Sequence, residues 1–249
     1  MRLAVFADVH ANDHALEAIR ADMGERGFDM SVCLGDIVGY NARPRECVEC
    51  VGATTDIVVA GNHDRDVLRT TACLGTSSSA RLVQMWTALQ LEDAHLGYLD
   101  SLPGRVVWDD AFVALHGCYL NDSHVSGYVT GTMLEANLQR IADRGNWPRL
   151  AFCGHTHIPM CGWLAGGECV DERAAGRLEW PADANAVLIN PGAVGQPRDG
   201  DPRAAYAMVD TTRRSVEFIR VAYDVGAAQA AIRDASLPDT LAERLAEGR

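Results

Sequence analysis

The sequence contains no lysine, and all 22 of its basic residues are arginine. That excludes chemistry built on a lysine amine, such as a Schiff base or the phosphate-binding lysine of a P-loop. Positive charge is scarce altogether: 34 acids stand against those 22 arginines, for a net charge of −12. This balance argues against a protein that tracks an extended nucleic acid, where binding draws on clustered cations. Long apolar runs are missing too, none approaching the ~20 residues of a membrane helix. Arg2 leads straight into a short apolar segment with no secretory-signal pattern, so a cytoplasmic, membrane-free protein is expected. Disulfides are not needed, because 249 residues of which 48% are hydrophobic can bury a large core. Cys33, Cys118 and Cys153 lie in or beside apolar runs and read as small hydrophobes. The Cys47-x-x-Cys50 pair reads as two thiols packed by a helix rather than as a redox or zinc site.

What is present is an ordered series of elements. Leu3–Ala7 is an apolar run closing on Asp8, and Asn12 or Asp13 can cap a helix to about Glu25. Met30–Leu34 closes on Gly35-Asp36, Pro44 suits the first turn of a helix carrying Cys47, Val48 and Val51, and Asp56–Ala60 closes on Gly61-Asn62. This alternation predicts a parallel sheet with crossover helices. Ser77–Ser79 introduce a helix whose Leu82, Val83, Trp86 and Leu89 follow the 3.6-residue period, and Leu96–Leu102 form a short one stopped by Pro103. Arg105–Trp108 and Ala111–Leu115 flank a hairpin turn at Asp109-Asp110, the second strand running into His116-Gly117. A loop over 118–130 follows, then a helix from about Thr132 to Arg144 and a strand, Leu150–Cys153, ending at Gly154-His155. Beyond it, Met160–Leu164, Cys169-Val170, Ala186–Ile189, Ala205–Val209 and Val216–Val221 are β runs with no helix between them. They predict a second, more antiparallel sheet, with a helical tail over 227–249, broken at Pro238, across the outside. No repeat or flexible linker interrupts the pattern, so a single domain over 1–249 is expected.

The early runs share one feature: each closes on residues that bind metals. In order these are Asp8-Val9-His10, Gly35-Asp36, Gly61-Asn62-His63-Asp64, His116-Gly117 and Gly154-His155-Thr156-His157. In an extended chain residues i and i+2 project to one side, so Asp8 with His10, and His155 with His157, are expected to act in pairs. Asp36 has two oxygens and can bridge two cations, and Asn62 offers an amide oxygen. Oxygen and imidazole donors without thiolate suit Mn²⁺, Fe²⁺ or Zn²⁺ better than Ca²⁺. Any one of these residues is ordinary; five such pieces in order, each closing an apolar run, point to a metal site.

Taken together, the motifs D-x-H, G-D, G-N-H-D, H and G-H-x-H resemble those of the calcineurin-like metallophosphoesterases. Gly35–Tyr40 and Asn190–Arg198 resemble their compact bacterial branch, the diadenosine tetraphosphatase-like and phosphodiesterase-like proteins. The resemblance implies an α/β protein of the α+β type, a four-layer sandwich. Two mixed sheets would pack face to face with helices outside and the metal site at strand C-terminal ends. It implies two divalent ions, manganese first with iron or zinc as alternatives. One would take Asp8, His10, Asp36 and His157, the other Asp36, Asn62, His116 and His155. The implied activity is hydrolysis of small phosphoesters or phosphoanhydrides by a hydroxide bridging the two ions, with phosphodiesters or dinucleoside polyphosphates ahead of phosphoproteins. The expected partner is thus a small phosphorylated molecule, and no feature specifies an oligomer. His63 follows a ligand and is expected to face the leaving group, while Asp64 reads either as the partner fixing its tautomer or as a helix cap. Tyr40, Asn41, His124, Tyr128 and Arg198 are candidate substrate contacts, Arg198 through its fork to a distal phosphate. His14 and His95, on predicted helices, are expected at the surface. A nuclease and a silent scaffold compete with this reading; the acidic balance speaks against the first, and the intact ligand set with His63 against the second.

Overall fold

The computed structural model describes residues 1–69, 78–120, 124–172 and 174–249. The predicted helix start at Ser77 and residues 121–123 of the predicted loop lie outside them. Strands β1 (Arg2–Phe6), β2 (Met30–Cys33) and β3 (Ile57–Val58) pair in parallel, linked by helices α1 (Asp13–Arg26) and α2 (Pro44–Thr54). Asn12 caps α1, its side chain accepting from Ala15 N–H, and Pro44 occupies the first turn of α2. Helix α3 (Asn62–Asp66) follows β3, then α4 (Ser78–Gln90) and α5 (Asp93–Ser101). The hairpin β4 (Arg105–Trp108) and β5 (Phe112–Leu115) turns at Asp109-Asp110 as expected, and α6 (Gly131–Ala142) leads to β6 (Leu150–Phe152). Then come β7 (Met160–Ala165), β8 (Glu168–Glu172), β9 (Arg177–Glu179), β10 (Ala186–Asn190), β11 (Ala204–Asp210) and β12 (Ser215–Val221). The chain closes with α7 (Val225–Asp234) and α8 (Asp239–Glu247), split at Pro238 as predicted.

The strands form two mixed six-stranded sheets, ordered β3-β2-β1-β11-β12-β9 and β4-β5-β6-β10-β7-β8. The second half therefore does not build a sheet of its own. β11 adds antiparallel to β1 and carries β12 and β9 with it, whereas β10 joins β6 in parallel. Run order does not reveal this, because a strand joins whichever edge lets it bury both faces. Side-chain alternation then sets the layers. Leu3 and Val5 face the other sheet, against Phe152, Val187 and Ile189, while Ala4 and Phe6 face Leu16, Ile19 and Val48 of the helices. On the far side Val113, Leu115 and Leu188 pack on Leu134, Leu138 and Ile141 of α6. Helix, sheet, sheet, helix is the four-layer sandwich that the resemblance implied.

Three expectations change. In α4 Val83 is buried and Trp86 half-buried as the spacing predicts, but Leu82 and Leu89 stand exposed while Gln84 and Thr87 are buried beside Val83. His95 is buried, not superficial: its Nδ1 accepts from Glu92 N–H at 3.1 Å at the start of α5, and its Nε2 lies 3.1 Å from Glu49. His14 is half-buried beside Asp13. Cys47 and Cys50 are free thiols, Cys47 buried and Cys50 half-buried on α2. Among the described residues no helix is long and apolar enough to cross a membrane.

Candidate metal centre

Ends of strands from both sheets converge on one point. Asp8 and His10 follow β1, Asp36 follows β2, Asn62 opens α3, His116 follows β5, and His155 and His157 follow β6. Donor atoms of Asp8, His10, Asp36 and His157 lie within 4.8 Å of one another, as do those of Asp36, His116 and His155. Asp36 belongs to both groups, and His155 and His157 fall in different ones.

The way the chain presents them is not the extended i, i+2 pattern. Asp8, His10, Asp36, His155 and His157 all have positive φ, between 47° and 69°. This left-handed region costs most side chains about 1–2 kcal/mol and is most accessible to residues such as Asp and His. The surroundings hold it in place: Asp8 N–H donates to Gly35 O (3.0 Å), His10 N–H to Asp36 O (2.9 Å), and Asn41 Nδ2 to His10 O (2.7 Å). His155 N–H donates to Asp8 Oδ2 at 3.1 Å. Strain held by so many bonds is characteristic of functional sites.

Backbone carbonyls also set the imidazole tautomers. His10 Nδ1 lies 3.1 Å from Val38 O, His116 Nδ1 2.8 Å from Leu34 O, and His157 Nδ1 2.6 Å from Gln196 O. A carbonyl only accepts, so each Nδ1 carries the proton and each Nε2 turns a lone pair inward. His10 Nε2 then meets His157 Nε2 at 3.0 Å, and His116 Nε2 meets His155 Nδ1 at 3.2 Å. The two Nε2 lone pairs of His10 and His157 repel at 3.0 Å unless positive charge lies between them. Asp8 Oδ1 and Asn62 Oδ1 are buried without a hydrogen-bond partner among the described residues. Orphaned oxygens around facing lone pairs fit divalent cations.

Protonation follows the same logic. Burial pushes Asp8 up to about 7 and His155 down to about 4, and holds His10 and His157 well below the usual histidine range. Burial also opposes charge on His116, but the Asp36 carboxylate, 3.2 Å away, outweighs it and lifts that ring to about 9. Without a cation, His116 therefore keeps a proton that a cation must displace. Metal affinity should rise by about tenfold per pH unit between about pH 7 and about pH 9 as that proton becomes easier to remove, and fall more steeply below about pH 7, where Asp8 is protonated too. Calorimetric titration of metal-free protein with Mn²⁺, in two buffers of different ionisation enthalpy, measures the released proton. An affinity independent of pH would contradict the assignment.

His63 lines a cavity of about 160 Å³ over the cluster, together with Tyr40, Tyr128 and Arg198. Asp64 does not orient it. Both Asp64 oxygens are taken by backbone N–H groups, those of Asp36 (2.8 Å), Ile37 (2.9 Å), Val38 (3.3 Å) and Gly61 (2.9 Å), so the carboxylate ties the Asp36 turn to the start of α3. Burial lifts it to about 6. His63 Nδ1 is instead packed against Gly39 without a partner among the described residues; an added Cβ at Gly39 would meet it at 2.5 Å, and φ there is +94°. That leaves Nε2 for the cavity.

The substrate candidates divide. Arg198 Nη2 lies 3.2 Å from Gln196 Oε1 and 3.5 Å from the Tyr40 hydroxyl, at the cavity wall. Tyr128 stacks on His155 with ring centroids 4.2 Å apart. Asn41 is withdrawn: it is buried under the His10 turn that it holds. His124 lies outside the cavity lining, its Nε2 3.3 Å from Arg105, because the backbone pairing of Gly117 with His124 turns the loop away. Two cavity residues were missed, Asp66 and Gln84; both looked like ordinary helix-surface residues, and only the i+3 spacing of Asp66 from His63 hinted otherwise.

The comparisons agree with this geometry. Residues 1–214 match the model of the calcineurin-like phosphoesterase superfamily domain. An uncharacterised protein of Methanocaldococcus jannaschii is 34% identical over 99% of this chain and 98% of its own length. The crystal structure of a metallophosphoesterase from Sphaerobacter thermophilus is 38% identical and superposes with a TM-score of 0.85 over 100% of this chain and 99% of that one. A hypothetical protein from Pyrococcus horikoshii shares the fold at 20% identity, with a TM-score of 0.81 over 100% and 98% of the two chains. With its ligand motifs gathered at the shared edge of two sheets, the chain belongs to the calcineurin-like phosphoesterase superfamily, a family of metal-dependent phosphoester hydrolases.

Proposed function

We propose that this protein hydrolyses small phosphoesters or phosphoanhydrides with two divalent cations, manganese first and iron or zinc as alternatives. The observation that carries the reading is the meeting of two donor groups at Asp36, the first with the His10 and His157 lone pairs facing across a gap that a cation or proton fills. Asp8, His10, Asp36 and His157 would hold one cation, and Asp36, Asn62, His116 and His155 the other. When bound, such a pair polarises a phosphoryl oxygen and supplies a water of low pKa for in-line attack.

The chain's own groups do the rest. Arg198 offers a forked cation at the cavity wall, matched to non-bridging phosphate oxygens. Burial lowers the proton affinity of His63 although Asp36 and Asp66 pull the other way, so the ring is neutral in the free protein. An entering phosphoester brings negative charge that raises this affinity, so the ring takes up a proton from water on binding and can pass it to the leaving oxygen. The small cavity and the net charge of −12 favour a compact substrate over a polymer.

Metal analysis of untreated protein, paired with rates on bis-p-nitrophenyl phosphate and diadenosine tetraphosphate, tests the reading; no metal and no turnover of either would end it. His63→Ala should lower kcat by about 10²–10⁴-fold while both cations remain bound. Loss of cations in that variant would make His63 a structural residue instead.

A further inference from the structure

The cavity has walls of opposite charge. Arg198 and Tyr40 form one, while Asp66 and Gln84 stand on another, outside both ligand groups. Helix α3 orders three side chains along its axis: Asn62, His63 and Asp66. At 1.5 Å per residue, Asp66 lies about 6 Å beyond Asn62 and about 4.5 Å beyond His63, on the face they share. With His63 facing the leaving oxygen, as proposed above, a group esterified to the bound phosphorus would extend past that histidine toward Asp66. Gln84, only 4% exposed, reaches from α4 and donates to Asp66 Oδ2 at 3.1 Å, which holds the carboxylate at this wall. The polar inward face of α4, unexpected from its apolar spacing, thus has a use.

We propose that Asp66, held by Gln84, selects the leaving group: the site takes phosphate esters of uncharged or cationic hydroxylated alcohols and disfavours leaving groups that carry further phosphate. A hydroxyl or ammonium can donate to the carboxylate, whereas a second phosphate meets like charge in a confined space. This rests on the phosphoesterase reading above and narrows it from esters and anhydrides to esters.

The test is the ratio of kcat/KM for diadenosine tetraphosphate to that for bis-p-nitrophenyl phosphate, in manganese-loaded wild type, Asp66→Asn and Asp66→Ala. Both variants remove the charge, but only asparagine keeps an oxygen for Gln84. The ratio should rise about 10- to 100-fold in both, and the inhibition constant of diadenosine tetraphosphate against ester hydrolysis should fall in parallel. A ratio unchanged in both variants overturns the proposal, as does a change confined to the alanine variant, which would mark a positioning role. If the wild type hydrolyses the ester but the ratio stays fixed, only the assignment of Asp66 fails. If the metal-loaded wild type turns over neither substrate, the phosphoesterase reading falls and takes this inference with it.

Discussion

Asp36→Asn should give a folded protein that binds at most one divalent cation and hydrolyses phosphoesters roughly a thousandfold more slowly or worse. The two carboxylate oxygens of Asp36 have separate duties. Oδ1 accepts from His63 N–H at 2.8 Å, at the start of α3. Oδ2 lies 3.2 Å from His116 Nε2 and 3.6 Å from His10 Nε2, where the two donor groups meet. Asparagine has one acceptor oxygen, and the buried His63 N–H will claim it, since an unsatisfied buried donor costs about 1–3 kcal/mol. The amide NH₂ is then turned to the histidines, putting a donor where a shared ligand is needed. Circular dichroism should report an intact fold, elemental analysis the lost cation, and initial rates the lost activity. Two retained cations at wild-type rate would remove Asp36 from the centre.

Gly61→Ala should be nearly as damaging without touching a ligand. A Cβ at Gly61 would collide with Asp36 Oδ1 and with the Asp36 backbone nitrogen, so the Asp36 turn and α3 must move apart. That movement strains the bonds joining them, Gly61 N–H to Asp64 (2.9 Å) and His63 N–H to Asp36 (2.8 Å). Overpacking with weakened buried hydrogen bonds should cost about 2–4 kcal/mol, or ~5–15 °C in Tm, with loss of metal binding. Gly24→Ala is the control: it lies in α1 with nothing within 4 Å of an added Cβ, and should be neutral or slightly stabilising. Equal thermal shifts in the two variants would show that close approach at Gly61 is unimportant.

How much of the site could be read in advance follows from the range of the forces involved. The D-x-H, G-D, G-N-H-D and G-H-x-H pieces are local, and each closes a strand whose apolar character is visible in its own few residues. The positive φ of Asp8, His10 and Asp36 is not local: it is imposed by carbonyls and N–H groups more than twenty residues away. The role of Asp64 was open between two local readings, and bonds to the 36–38 backbone decided it. Asn41 and His124 looked like cavity residues because they sit in loops near ligands, but their orientation depends on what those loops pack against.

By itself, the sequence determined the order of most strands and helices, the candidate ligands and the absence of lysine chemistry, because these depend on residue type and short-range pattern. Only the tertiary structure decided that β11 and β12 complete the first sheet while β10 completes the second, and that both sheets give ligands to one centre. It alone placed Asp66 beside His63 and turned the His10 and His157 lone pairs to face one another. The physical reason is that burial and hydrogen-bond satisfaction act between residues brought together by packing. A carboxylate three residues past a histidine becomes a cavity wall only when a distant helix, here α4, holds it there.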